Sequence, residues 1–263
     1  MLEVTILSVL QGIAEFLPIS SSGHLVLGKS LLGLGDAGIR LDVFLHVGTL
    51  FAVCAFYWRI IRRIALGAFG LCGESPREAW LYCAKIVVSA VPAAVVGILL
   101  KDRIEAAFAS PKLVGAALVF TGFVLTATRL LPRGRDGVGF LHAIAMGIAQ
   151  AIAILPGVSR SGMTLAAARW KKVDPEKAAE FSFLMSVPPI AGAALLEIAD
   201  ALKETVPAGS EVSWGLTIYG AAIAAVVGYV ALALLLRSLR SDKFWLFGPY
   251  CVIAGIVTIF VAK

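Results

Sequence analysis

The sequence predicts an all-α integral membrane protein: six transmembrane helices plus two re-entrant helical hairpins, arranged as an inverted-topology repeat. Three observations predict it. Apolar residues make up 59% of the chain and charged residues only 15%, against about a quarter charged in ordinary soluble domains. Apolar runs of membrane-spanning length recur along the chain. Two further apolar runs break part-way at proline and glycine, and the two breaks are alike.

The first broken segment, residues 2–29, begins as an apolar helix and runs into Leu17-Pro18-Ile19-Ser20-Ser21-Ser22-Gly23-His24. Glu3 is the only charge before Glu15, and neither a basic leader nor a small-residue cleavage site is evident, so the segment is expected to stay in the mature protein. Spans are expected at about 40–58, 80–100 and 112–131, each near the roughly 17–25 residues that cross a ~30 Å hydrocarbon core. The second broken segment, 140–170, runs into Leu155-Pro156-Gly157-Val158-Ser159-Arg160-Ser161-Gly162. Spans at 180–199, 214–236 and 246–262 complete the chain.

Proline removes a backbone donor and glycine loosens a helix, so both breaks free polar backbone at membrane depth. Such backbone persists only inside protein or beside a water-filled cavity, which favours re-entrant hairpins over kinked full spans. Pro92, Pro188 and Pro189 are expected to kink spans around the site. Gly115 to Gly122 reads as close helix packing rather than nucleotide binding.

The net charge of +6 does not point to nucleic acid, because basic residues stand singly or in pairs at the ends of apolar runs. Counted by loop, Lys and Arg divide fourteen against seven between alternate connections. The richer set, Arg59 to Arg77, Arg129 to Arg135, Arg169 to Lys177 and Arg237 to Lys243, is expected in the cytoplasm. Lys203 and Lys263 belong to the other set. Both termini are then expected outside, with the hairpins entering from opposite faces. Cys54, Cys72, Cys83 and Cys251 lack metal-type spacing and read as free structural thiols.

Sliding the chain by 139 residues lays Gln11–His24 over Gln150–Met163 with six of fourteen positions identical. Residues 1–132 and 138–263 are therefore expected to be two copies of one unit, a hairpin plus three spans, within a single membrane domain. An odd number of spans inverts the second copy, and such repeats place a binding site where their broken helices meet. The differences between copies divide the chemistry. Ser21 aligns with Arg160, His24 with Met163, and Glu15 with Ile154. A carboxylate, hydroxyls, an imidazole, a guanidinium and free turn amides suit a phosphate ester or anhydride. Glu15 fits general-base or metal-ligand work, and Arg160 fits a phosphate clamp. The nucleophile is left open among Ser21, which is favoured, His24, and metal-activated water. Ser20, Ser22 and Ser159 fit equally as caps of broken helices. Asp42 and His46, four apart, read as a structural pair before a second metal pair, and His142 as bland.

These residues resemble the undecaprenyl-pyrophosphate phosphatase family of the bacitracin-resistance type. Its first motif is matched by Gln11, Glu15, Leu17, Pro18, Ser20, Ser21, Ser22, Gly23 and His24, and its second by Pro156, Gly157, Ser159, Arg160, Ser161 and Thr164. The resemblance implies hydrolysis of undecaprenyl pyrophosphate to the monophosphate at the outer face of the bacterial inner membrane, recycling the lipid carrier for peptidoglycan. It implies Glu15, Ser21, His24 and Arg160 as catalytic residues, with Glu15 also a metal ligand. Gln11, Ser20, Ser22, Gly23, Ser159, Ser161 and Thr164 would bind substrate, Thr164 more as support for its turn. A divalent cation, Mg2+ or Ca2+, dimerisation and bacitracin tolerance are also implied. Gln11 stands where many members carry Glu, and its amide brings no charge to a metal. The rival reading is a polyprenyl-phosphate transporter or flippase, which inverted repeats also build.

Overall fold

The computed structural model describes residues 1–32, 39–71, 75–201 and 213–261. Cys72, Lys203 and Lys263 lie outside the described residues. Among them the chain is helical apart from turns, connections and one isolated β-bridge, Asp136 to Val173.

The first broken segment is α1 (Leu2–Phe16) packed on α2 (Ser21–Leu32). Residues 17–20 separate them, and Ser20 turns the chain with φ +70°. Helices α3 (Ile39–Phe56) and α4 (Trp58–Ala68) follow, bent by 73° at Tyr57. Next come α5 (Pro76–Leu99), the short α6 (Lys101–Phe108) and α7 (Pro111–Ala127). A proline at the first position and the Ser110 hydroxyl, which accepts the Leu113 amide, start α7.

The second broken segment is α8 (Phe140–Ile152) packed on α9 (Arg160–Trp170). Gly157 takes φ +91° in the turn between them, a conformation that a side chain would strain. Then follow α10 (Pro175–Leu184), α11 (Val187–Ala201), α12 (Trp214–Arg240) and α13 (Phe247–Val261). Asp174 caps α10 by accepting the Glu176 and Lys177 amides.

Among the described residues four segments are long and apolar enough to cross a membrane: Pro76–Leu99, Pro111–Leu130, Trp214–Arg240 and Phe244–Val261. The bent α3 and α4 pair makes a fifth if counted as one span. The chain is a multi-pass helical membrane protein. The expected single span 180–199 is instead two helices, α10 and α11, parted at Met185 and Ser186. Pro188 and Pro189 lack the amides that a continuing α10 would need to donate. Pro92, by contrast, lies inside α5, which runs on past it.

Lipid tails are as apolar as leucine, so these helices associate by close van der Waals packing rather than by burial from water. Glycine makes that approach possible between α7 and α13. A Cβ at Gly115 would lie 2.8 Å from the Gly255 carbonyl oxygen, and one at Gly122 would lie 2.7 Å from that of Gly248. Helix α1 packs on α12, and α8 packs on α5. Phe16, Met146, Phe181, Phe183 and Met185 are wholly buried between the two hairpins and α10, with Phe16 set edge-on to Phe183 at 5.5 Å.

Three of the basic connections meet at one end of the bundle. Arg133 donates to the Arg240 carbonyl, Arg169 pairs with Asp242, and Arg240 bonds Glu176 at 3.0 Å. The free thiols of Cys54, Cys83 and Cys251 make no disulfide.

Candidate active site

The two breaks meet. Ser20 Oγ lies 3.4 Å from the Val158 carbonyl oxygen to which it donates, and Ser161 Oγ donates to the Leu17 carbonyl at 3.5 Å. A Cβ on Gly23 would lie 3.2 Å from Gly157 Cα. Each hairpin thus uses one serine to bond a carbonyl at the other hairpin's break.

Within each break the serines repeat the same pattern. Ser20 Oγ accepts the Gly23 amide and lies 3.3 Å from Ser22 Oγ. Ser159 Oγ accepts the Gly162 amide and lies 3.3 Å from Ser161 Oγ. The spans behind hold both turns. Thr121 on α7 donates to the Gly157 carbonyl and accepts the Ser159 amide, and Cys251 on α13 donates to the Pro18 carbonyl.

At the meeting point, Glu15 on α1 collects the polar side chains. Its Oε1 pairs with Arg160 Nη2, the first residue of α9. Its Oε2 accepts the Ser21 hydroxyl at 2.6 Å and the Gln11 amide at 3.1 Å, and His46 Nε2 lies 3.7 Å away. The side chain of Glu15 is 5% exposed and that of Arg160 18%. A carboxylate so deep survives because charged and neutral donors surround both of its oxygens. A cavity of about 200 Å³ opens on the cluster, lined by Glu15, Ser20, Ser21, Ser22, His46, Ser159 and Arg160. The N-termini of α2 and α9 both begin at it, so amides and helix dipoles favour an anion there.

A second cavity, about 700 Å³, shares His46 and Arg160 with the first and is otherwise mostly apolar, with Ala90, Ala93, Pro188 and Pro189 among its walls. A small polar chamber therefore joins a larger greasy one.

His24 is not brought to Glu15 and Ser21. Its Nδ1 lies 2.9 Å from the Ser20 carbonyl oxygen and its Nε2 2.8 Å from the Tyr250 hydroxyl, against which the ring stacks. One helical turn separates it from Ser21, but the turn points the imidazole at α13. Thr164 also lies off the cavity: wholly buried, it bonds the Arg160 carbonyl and Ser182 Oγ, and so supports the turn instead of lining the site. Gly23 and Ser161 are likewise buried in the contact between the hairpins. His142 accepts the Gly139 amide and is local.

Among the described residues no group of three or more His, Cys, Asp or Glu side chains is placed to hold a metal. The oxygen donors nearest to one are the Glu15 carboxylate and Gln11 Oε1, which is buried without a partner among the described residues. Oxygen donors with few carboxylates suit hard cations that keep water or bind phosphate as well.

A family model described as bacitracin resistance protein BacA matches residues 4–257. The chain belongs to that family. Curated relatives agree over nearly full length. It is 38% identical to the undecaprenyl-diphosphatase of Desulforapulum autotrophicum, covering 97% of this chain and 95% of that one. It is 40% identical to the undecaprenyl-diphosphatase of Halothermothrix orenii, covering 99% and 97%. Identity is 41% to that of Moorella thermoacetica, covering 98% and 97%.

Two residues that contact predicted site residues were not assigned to the site from sequence. His46 approaches Glu15, while its Nδ1 bonds the Asp42 carbonyl and Asp42 pairs with Lys29. Its signal was the spacing to Asp42, whose carbonyl it bonds, but that spacing gave no hint of Glu15. Tyr250 had no signal, being a tyrosine in an apolar span.

Proposed function

We propose that this chain is an undecaprenyl-diphosphatase, hydrolysing undecaprenyl diphosphate to undecaprenyl phosphate and inorganic phosphate and so conferring bacitracin tolerance. The observation that carries this is the buried Glu15 carboxylate joined at once to the Ser21 hydroxyl and the Arg160 guanidinium. A carrier has no use for a hydroxyl bonded to a base.

Ser21 Oγ attacks the terminal phosphorus while Glu15 takes its proton. The bond from that phosphorus to the bridging oxygen breaks, and the lipid monophosphate leaves with the proton that Glu15 took, which frees the carboxylate. Water then attacks the phosphoserine, giving up a proton to Glu15, and the bond from phosphorus to Ser21 Oγ breaks as Glu15 passes that proton to Oγ, restoring Ser21 with release of phosphate. Arg160 and the amides opening α2 and α9 hold the equatorial oxygens, the positioning and charge stabilisation that phosphoryl transfer needs. His24, with both ring nitrogens engaged elsewhere, positions the Ser20 turn. The prenyl chain lies in the apolar cavity. A bound Mg2+ or Ca2+ would be held by Glu15 and Gln11 Oε1 and would supply charge neutralisation on the diphosphate.

The architecture we propose is six spans and two re-entrant hairpins in inverted repeat, 1–132 and 138–263. It is supported by the matched serine pattern of the two turns and by the matched packing of α1 on α12 and α8 on α5. The protein would sit in the bacterial inner membrane with its basic end in the cytoplasm. Phe108, in the connection that the Lys and Arg distribution assigns to the outer face, lines the polar cavity, which supports a site open to the periplasm. Dimerisation would use α5, whose apolar window is only 6% buried within one copy.

The test is phosphate release from undecaprenyl diphosphate by purified protein in detergent. We expect one phosphate per undecaprenyl phosphate formed. Absence of release, or undiminished release by Glu15→Ala and Arg160→Ala, overturns the reading.

A further inference from the structure

The apolar cavity beside the site contains a polar group that the mechanism above does not use. Gln150, on α8, is 5% exposed, and neither its Oε1 nor its Nε2 has a hydrogen-bond partner among the described residues. It lines the cavity of about 700 Å³ among alanines and prolines. At the repeat offset it is the copy of Gln11, which donates to Glu15 one turn further on. One turn on from Gln150 stands Ile154, so the copy has no carboxylate to bind.

A buried amide left unpaired is destabilising, a cost that leucine in its place would avoid. The neighbouring cation carries a second such atom. Arg160 lines both cavities; its Nη2 holds Glu15, while its Nη1 is buried without a partner among the described residues. The apolar chamber and its junction with the polar one therefore carry a carboxamide, on Gln150, and a guanidinium N–H, on Arg160, that no described residue engages.

A lipid diphosphate has a matching group. With its terminal phosphate beside Ser21 and its chain in the apolar cavity, the phosphate that stays on the lipid falls at the boundary. Resting on the phosphatase reading, we propose that Gln150 is a specificity-determining residue that donates its amide N–H to the lipid-proximal phosphate, alongside Arg160 Nη1. That phosphate does not change its bonds to the prenyl chain during the reaction. The contact therefore holds ground state and transition state alike, and acts on KM and on binding of the product, not on kcat.

Phosphate release from undecaprenyl diphosphate is to be compared for the wild-type protein, Gln150→Leu and Gln150→Asn. For Gln150→Leu we expect KM to rise on the order of tenfold with kcat held within about threefold, as for one lost hydrogen bond to a charged oxygen. The inhibition constant of undecaprenyl monophosphate rises by the same factor. The melting temperature stays level or rises, because an apolar group replaces an unpaired amide. Gln150→Asn, which keeps the donor, recovers part of the KM. Unchanged KM and inhibition constant overturn the proposal, as does a fall in kcat that matches the fall in kcat/KM. A lowered melting temperature with KM unchanged assigns Gln150 a structural role instead. If the wild-type protein releases no phosphate, it is the phosphatase reading that fails. Gln150 is then decided by the thermal shift that undecaprenyl monophosphate produces, equal shifts for wild type and Gln150→Leu overturning its assignment.

Discussion

Replacing Arg160 with methionine keeps most of the side-chain volume and removes the permanently charged partner of Glu15. The Glu15 side chain is 5% exposed and that of Arg160 18%, so the pair is buried with a modest opening to the cavity. Breaking such a pair by deleting one partner costs about 3–5 kcal/mol, and the residual exposure of Arg160 places this case near about 3. His46, Gln11 and Ser21 still face the carboxylate but none carries a fixed charge. Arg160→Met should therefore lower the unfolding midpoint clearly and reduce phosphate release by about 10²–10³-fold, the scale on which a lost transition-state donor acts. The second arm is the double variant Glu15→Gln/Arg160→Met, in which no charge is left buried and unpaired. Its stability should return towards wild type while activity stays lost. The assays are thermal unfolding in detergent and phosphate release from undecaprenyl diphosphate. Equal stability of Arg160→Met and wild type, or a double variant no more stable than the single one, would refute the reasoning.

Three further outcomes follow from the same geometry. Ser21→Ala should reduce turnover by at least about 10²-fold, whereas His24→Gln, which still reaches its Ser20 and Tyr250 partners, should stay within about tenfold; the reverse order in steady-state kinetics would make His24 the reacting group. Gly157→Ala should cost about 2–3 kcal/mol or more in thermal unfolding, because φ is +91° and the new Cβ would lie 2.3 Å from the Val114 carbonyl oxygen; an unchanged midpoint would contradict it. At the basic end, hydrogen bonding from Arg169 holds the Asp242 carboxyl below its ordinary value. A carboxyl depressed in the folded state adds stability above its unfolded pKa and loses it as pH falls through the folded one. Asp242 is half exposed, so Asp242→Asn should cost less than about 1 kcal/mol at neutral pH. That difference should vanish in acid when unfolding is followed against pH.

How much was readable in advance depended on the range of the interaction concerned. The break at Leu17-Pro18 and the break at Pro156-Gly157 were legible because proline and glycine act on their own few residues of backbone. Their likeness was legible because Gln11–His24 matches Gln150–Met163 at six of fourteen positions at an offset of 139. That Glu15 and Arg160 need partners was legible because ionised groups in apolar helices need a reason to be there, and the structure pairs them with each other. The division of 180–199 into α10 and α11 was also written locally, in Pro188 and Pro189, but mean hydropathy over a span-length window hides it.

Other features were not local. That Arg160 closes on Glu15 across 145 positions, that His24 turns to Tyr250 across 226, and that His46 leans on Glu15 depend on how the hairpins dock between α7, α12 and α13. A residue's type sets which partners it can accept; packing sets which of them it meets. Composition, periodic breaks and a displaced self-match were enough to indicate a membrane protein with two similar but chemically unequal turns. The docking of those turns assigned the serine to the carboxylate, left the histidine outside the cluster, and placed Gln150 unpaired at the edge of the lipid chamber, because such contacts join atoms that the sequence holds far apart.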